Sequence, residues 1–175
     1  MIAKSLVAAL LAVSLASASP IARRDAATVL SDLETVLSDT EALESSVSSW
    51  TGSLLAGLEI LVEYDDLKSA LDTAITDAAA TSTLSDADSS SITSEIETLG
   101  PVIIATLDAI TDKESDAADD GVASDLLSSI ETLQTKTSTL AADLEAIATT
   151  TDAETIASVL SSVDAAFSSA IAAYS

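Results

Sequence analysis

The sequence lacks cysteine and histidine, and it has only four glycines, two prolines and four aromatic residues. Without histidine or cysteine, a Ser-His-Asp triad, a Cys-His pair and the usual zinc ligands are excluded. Four aromatic side chains are too few for the sugar-binding platforms that a glycosidase cleft usually carries. The acidic turn at Asp119-Asp120-Gly121 does not complete a twelve-residue calcium loop. The sequence therefore predicts a protein that is not an enzyme, without a metal site or a cofactor.

Basic residues are also scarce. Six lysines and arginines stand against 29 acidic residues, which gives a formal net charge of −23. Such a charge repels the phosphates of nucleic acids, so no nucleic-acid partner is expected. Acidic disordered chains are poor in apolar residues, whereas 48% of this chain is hydrophobic. We therefore expect one folded domain with an apolar core, which its negative charge keeps soluble.

The N-terminus has the pattern of a secretory signal peptide. Lys4 supplies a positive charge, residues 6–15 form an apolar region, and an Ala-x-Ala site ends at Ala18. The apolar region is too short to span a bilayer. Residues 1–18 are therefore predicted to be a signal peptide that is removed after Ala18.

A dibasic pair follows the predicted signal peptide. Residues 19–24 end in Arg-Arg, which resembles the cleavage site of a Kex2-type protease; the alternative is an ordinary exposed dipeptide. Cleavage after Arg24 gives a mature domain of residues 25–175 with all 29 acids, three lysines and a charge of −26.

No segment after the predicted signal peptide indicates a membrane anchor. The C-terminus lacks the long apolar tail of a GPI signal. The sequence contains no asparagine and hence no N-glycosylation site, although serine and threonine leave O-glycosylation open. A cysteine-free secreted domain must be held together by its core rather than by disulfides. We expect a secreted protein that is extracellular, associated with the cell wall, or both, without a transmembrane anchor.

Apolar residues recur at steps of three and four from residue 26 onward, which predicts amphipathic helices throughout. Ser85-x-x-Asp88 and Thr151-x-x-Glu154 resemble capping boxes at two helix starts. Gly100-Pro101 interrupts the third apolar pattern, and we predict one kinked helix there rather than two short ones. The expected fold is an all-α, five-helix up-and-down bundle. The predicted helices span residues 26–49, 54–80, 85–117, 122–148 and 151–173.

The apolar stripes suggest two kinds of binding. In the first, exposed apolar residues adsorb to a hydrophobic solid, with Trp50, Leu54 and Leu55 as the leading contacts; alternatively, Trp50 packs into the core. In the second, stripes rich in small aliphatic residues leave an interior slot for an acyl chain, against the alternative of an ordinary close-packed core. The residues expected to line that slot are Leu33, Leu37, Leu58, Leu61, Ile96, Leu107, Leu126, Ile130 and Phe167.

Five segments in order and spacing resemble the fungal hydrophobic surface-binding protein A family, also described as cell wall galactomannoproteins. The resemblance extends over essentially the whole mature chain, and each segment alone is of low complexity. The segments are RRDAATVL (23–30), LLAGL (54–58), LDTAITD (71–77), SDADS (85–89) and DAAFSSAIAAY (164–174).

The resemblance implies a fungal secreted protein with a five-helix fold that adsorbs to hydrophobic solids such as wax, polyester or cuticle. It also implies, as a partner, a secreted hydrolase that degrades polyester. Some members of the family resemble lipid carriers that hold a fatty acid between their helices, which is the alternative function. A third alternative is a structural mannoprotein of the cell wall. The family carries no catalytic motif, so no catalytic residue is assigned.

Overall fold

The computed structural model describes residues 25–52 and 54–175. The predicted signal peptide, the residues before Asp25 and the processing residues Ala18 and Arg24 lie outside the described residues. So do residue 53 and the side chains of residues 54–56 and 58, which include the predicted contacts Leu54, Leu55 and Leu58.

The described chain is helical, with five long helices and one short one, as the apolar periodicity predicts for the long ones. The helices are α1 (Ala26–Ser49), α2 (Leu54–Ala80), α3 (Asp86–Asp112), α4 (Glu114–Asp119), α5 (Ala123–Ile147) and α6 (Thr150–Tyr174). The single predicted third helix corresponds to α3 and α4. The helix is interrupted at Lys113, which has φ −97° and ψ 5°.

Three of the long helices have a side-chain cap at their N-terminus. The Asp25 carboxylate accepts from the Thr28 N–H at 2.9 Å, and Ser85 caps α3 through the Asp88 N–H, as predicted. The predicted cap of the last helix was wrong by two residues. The Thr149 hydroxyl, rather than that of Thr151, accepts a hydrogen bond from the Asp152 N–H and donates one to the Asp152 carboxylate. Since the sequence has threonine at 149, 150 and 151, pattern alone does not separate them.

Gly100 and Pro101 lie within α3, which runs unbroken across them. Gly100 is buried, and a Cβ atom built on it would lie 2.4 Å from the Val159 side chain of α6. The glycine therefore allows close approach of α3 and α6. Pro101 is exposed beside it.

The five long helices form a closed ring in the order α1, α2, α5, α6, α3. Helices α3 and α6 run in the same direction, because the Thr149 N–H donates to Ser89 Oγ at one end and Tyr174 contacts Ile110 at the other. The ends of α1, α3 and α6 and the starts of α2 and α5 meet at one end of the bundle. This end is called the Trp50 end below.

The bundle interior is mostly apolar, and its buried polar residues are Thr40, Asp77, Ser89, Thr93 and Thr106. Its largest fully buried side chains include Phe167, Leu33, Ile92, Ile130, Leu144 and Ile156. The buried hydroxyls of Thr40 and Thr106 donate to carbonyl groups of their own helices, at 2.6 and 2.9 Å, so they add no free polar group to the interior. The ring thus encloses one continuous apolar core.

Among the described residues, α6 is the one helix that is long and apolar enough to cross a membrane by length and composition. The core helix of a soluble protein passes the same test. Here α6 contributes buried residues to the bundle interior, among them Ile156, Val163 and Phe167.

Candidate functional site: an apolar cavity at the Trp50 end

A cavity of about 260 Å³ opens at the Trp50 end of the bundle. Every long helix contributes to its wall, because all five begin or end there. The apolar side chains that line it are Val47, Trp50, Ile60, Leu61, Ile110, Val122, Leu126 and Tyr174. Its size is just below the lower end of the range of about 300–1,000 Å³ that is typical of small-molecule sites.

Small residues at the helix ends leave this space open. Gly57 lines the cavity in the first turn of α2, and no described atom lies within 4 Å of where its Cβ would be. Ser129 lines it from α5, and its hydroxyl donates back to the Asp125 carbonyl at 2.9 Å, so it does not project a polar group into the cavity. Larger side chains at these two positions would reduce the volume.

Two hydrogen bonds fix the wall of the cavity. The ammonium group of Lys113 donates to the backbone carbonyl of Trp50 at 2.7 Å, which joins the end of α3 to the end of α1. The hydroxyl of Tyr174 donates to the carbonyl of Ile110 at 2.7 Å, which joins the end of α6 to α3. Burial raises the pKa of Tyr174 to about 12, with smaller contributions from the Glu114 and Asp116 carboxylates.

Two smaller cavities continue from this end along the bundle axis. The nearer has a volume of about 30 Å³ and shares Ile110 with the end cavity. The farther has a volume of about 40 Å³ and shares Val36, Leu71 and Ile103 with the nearer one. Each exceeds the volume of about 10–15 Å³ that a water molecule needs, but an apolar lining keeps such a space dry. The packing defects therefore follow one line through the interior.

The predicted lining residues fall into three groups. Leu61 and Leu126 line the end cavity, Leu107 and Phe167 line the nearer small cavity, and Ile96 lines the farther one. Leu33, Leu37 and Ile130 line none of the three cavities. Leu33 and Ile130 belong to the close-packed core. Leu58 remains a prediction, because its side chain is outside the described part.

The predicted surface contact at Trp50 is buried, with 4% of its surface exposed. Trp50 lines the cavity wall, and its burial agrees with the core-packing alternative. The predicted lining did not include Val47, Ile60, Ile110 and Tyr174, although Val47 and Ile110 belong to the apolar stripes of the first and third predicted helices. These four residues share an end of the bundle rather than one helical stripe. Grouping residues by bundle end would have brought them together.

A separate polar cleft lies between α1 and α2. Asp32, Asp39 and Asp66 line it. The pKa of Asp39 is raised, mainly by desolvation and further by the Asp66 carboxylate. Within the described part of the chain, no group of three or more side chains is arranged to hold a metal ion. The cleft therefore concentrates negative charge without a cation site.

A family model for hydrophobic surface binding protein A matches residues 26–146. The chain belongs to this family. The match ends just before α6, although α6 completes the ring in the structure. No curated protein matches the chain significantly.

Solved structures of related proteins have the same fold. AfMP4p in complex with palmitic acid is 46% identical, with a TM-score of 0.84 over 86% of this chain and 100% of that chain. Ligand-binding domain 1 of the Penicillium marneffei MP1 protein, complexed with arachidonic acids, is 15% identical, with a TM-score of 0.80 over 86% and 99% of the two chains. Domain 2 of MP1, complexed with multiple arachidonic acids, is 12% identical, with a TM-score of 0.79 over 88% and 98%. At these two identities the likeness to MP1 concerns the fold alone.

Proposed function

We propose that this family member binds a long-chain fatty acid inside its helical bundle, through the Trp50 end. The observation that carries the proposal is the line of apolar cavities that starts at Trp50 and continues to Val36 and Leu71. AfMP4p, which is 46% identical, was solved with palmitic acid. Burial of an acyl chain stabilises a complex by about 0.8 kcal/mol per CH₂ group, before the costs of association.

The end cavity alone is small for a sixteen-carbon chain. The nearer of the two further cavities shares the lining residue Ile110 with the end cavity, and the two further cavities share Ile103. A bound acyl chain would occupy the end cavity and displace these side chains to join the smaller spaces. Aliphatic side chains can change rotamer at a cost that is small beside the burial of several CH₂ groups.

The test uses Trp50, the single tryptophan of the sequence, as a reporter inside the cavity. The mature chain is delipidated and titrated with palmitate. We expect a saturable change in tryptophan fluorescence, and native mass spectrometry should show one added palmitate. Trp50→Phe should abolish the optical signal and keep the mass increment. Absence of both the fluorescence change and the mass increment in the unmodified chain would contradict the proposal.

A second proposed function is adsorption to hydrophobic solids, which the family description supports. Leu61 and Val62 are the exposed large hydrophobic residues of the described part, with 49% and 58% of their surfaces accessible. They are neighbours on α2, and Leu61 also lines the cavity. An apolar contact beside the cavity mouth would place the opening against the solid.

Depletion from solution onto polyester or Teflon beads tests adsorption. We expect depletion to increase with salt, because salt screens repulsion between the acidic chains on the surface. The double variant Leu61→Ser with Val62→Ser should adsorb less. Ala142→Ser with Ala146→Ser, at exposed positions of α5, is the control and should adsorb normally. Equal depletion of both double variants would show that this end of the bundle is not the surface that contacts the solid.

We also propose that the secreted form begins at Asp25 and is released or held at the cell wall. Asp25 caps α1 through hydrogen bonds to the backbone and the hydroxyl of Thr28. Cleavage after Arg24 would therefore leave the first helix intact. The mass of the purified secreted protein tests this start, and release of the protein from walls by glucanase tests wall association.

A further inference from the structure

We propose that Lys113 recognises the carboxylate of the bound lipid, so that the cavity selects lipids with a single ionised carboxyl group over neutral or phosphorylated ones. This inference rests on the proposed fatty-acid function. It also fixes the direction of the ligand, with the carboxylate at the Trp50 end and the methyl end inside the bundle.

Lys113 is a half-buried cation in the wall of an apolar cavity. An ammonium group has three N–H donors, and the Trp50 carbonyl accepts from Lys113 at 2.7 Å. Within residues 25–52 and 54–175, Lys113 forms no ion pair, although the adjacent helix α4 carries Glu114 and Asp116. A partly desolvated charge that is bonded to a neutral carbonyl gains most from an anionic partner.

The other lysines of the mature domain are elsewhere. Lys136 pairs with Asp72 on the outside of the α2–α5 contact. Lys68 lies in the middle of α2 and lines none of the three cavities. Lys113 is therefore the cation that the described part of the fold places at the cavity, in a domain that has almost ten acids for every lysine.

Two carboxylates at the cavity rim limit the charge that the headgroup can carry. Asp120 and Asp125 line the cavity, and both are exposed to solvent. Water and salt screen them, so one carboxylate beside Lys113 is tolerated. A phosphate monoester with nearly two negative charges would meet stronger repulsion from the same pair. The rim therefore favours a monoanion.

The lining behind Lys113 sets the direction of the acyl chain. From Ile110 inward, the shared lining residues of the smaller cavities are aliphatic apart from Thr137. The interior hydroxyls of Thr40 and Thr106 are bonded to their own helices, so they are poor partners for a carboxylate. A fatty acid that entered headgroup first would leave its carboxylate without a cation.

The test compares three sixteen-carbon ligands on the mature chain: palmitate, hexadecanol and hexadecyl phosphate. The unmodified chain should prefer palmitate. Lys113→Met should weaken palmitate binding about tenfold and leave hexadecanol binding unchanged. Lys113→Arg keeps the positive charge and should retain palmitate affinity within about threefold. Thermal unfolding of each variant shows whether loss of the contact with Trp50 has altered the fold.

The outcomes separate this inference from the proposed function. Equal weakening of palmitate and hexadecanol in Lys113→Met would mean that Lys113 only supports the cavity wall, which overturns the inference. Unchanged palmitate affinity in Lys113→Met would also overturn it, while palmitate binding itself would uphold the proposed function. If the unmodified chain binds none of the three ligands, the proposed fatty-acid function itself is contradicted, and the inference about Lys113 falls with it.

Ligand direction has its own readout. Stearate that carries a nitroxide quencher near its carboxylate should quench Trp50 fluorescence more strongly than stearate with the quencher near its methyl end. Trp50 lies beside Lys113 at the proposed headgroup position. Stronger quenching by the methyl-end label would show the opposite direction and overturn the inference.

Discussion

The hydroxyl of Tyr174 donates a 2.7 Å hydrogen bond to the carbonyl of Ile110, so that the last residue of α6 is fixed to the last turns of α3. The same carbonyl accepts from the Lys113 N–H at 3.0 Å. One carbonyl group therefore connects the end of the chain to the residue that we propose as the headgroup partner.

Tyr174→Phe removes this hydrogen bond and leaves the carbonyl of Ile110 with its other partner. We expect the free energy of unfolding to fall by about 1 kcal/mol, which is typical of a hydrogen bond between neutral groups. Urea denaturation measures it. Tyr64→Phe is the control, since no hydrogen bond of Tyr64 is found in the described part of the chain. Equal effects of the two changes would contradict the role assigned to Tyr174.

The raised pKa of Tyr174 predicts a loss of stability in alkali. The pKa rises from 10.0 to about 12 on folding, mainly by burial, so folding favours the protonated phenol. This contribution is complete below the unfolded pKa and is lost as pH rises through the folded pKa. Between about pH 9 and pH 12, the unmodified chain should therefore lose more stability than Tyr174→Phe does. Parallel pH profiles for the two proteins would contradict this.

Gly100→Ala should destabilise the bundle, because the new methyl group would lie 2.4 Å from Val159 Cγ1. We expect a cost of about 1–3 kcal/mol, which is typical of overpacking. Val159→Ala in the same chain should restore part of the loss. Gly57→Ala is the matched control: it meets open space within a helix, so it should stabilise by about 0.5–1 kcal/mol. Denaturation of these three variants and the unmodified chain measures all of these effects.

Asp39→Asn should stabilise the protein at neutral pH. Desolvation and the Asp66 carboxylate raise the folded-state pKa of Asp39 above 3.8. The contribution of Asp39 to stability is therefore complete below the unfolded pKa and is lost as pH rises through the folded pKa. The gain in stability of Asp39→Asn over the unmodified chain should be present at pH 7 and disappear in acid. Glu41→Gln, an exposed change of charge on α1, is the control and should gain less at pH 7.

Ser129→Phe should block ligand binding by filling the end cavity. Ser129 is half-buried and lines this cavity, whereas its neighbour Ser128 is exposed on the same helix. We expect palmitate affinity to fall by about tenfold or more in Ser129→Phe, and to stay unchanged in Ser128→Phe. Titration followed by Trp50 fluorescence measures both. Full affinity in Ser129→Phe would place the ligand elsewhere.

The helices could be predicted from sequence because each depends on a local pattern. The apolar stripe of α1 and the turn at Gly121, which has φ +75°, are both local signals. The Ser85 cap was found for the same reason. The short helix α4 was missed because it continues the apolar phase of α3 after a break at one residue, Lys113.

The site was only partly predictable because it depends on the order of the helices in the ring. Leu61 and Leu126 were expected to line a slot because they belong to apolar stripes, and both line the end cavity, while Lys113, Ser129 and Tyr174 carry no such signal. Lys113 and Tyr174 meet because α3 and α6 are parallel neighbours that end together, and Ser129 joins them because α5 begins at the same end. Periodicity defines a helical face, but it does not define which helices are neighbours.

The last helix of the chain completes the ring, between α3 and α5. Without residues 150–174, the gap between α3 and α5 would open the apolar core along the side of the bundle. The contacts of α6 with these two helices therefore restrict access to the interior to the Trp50 end.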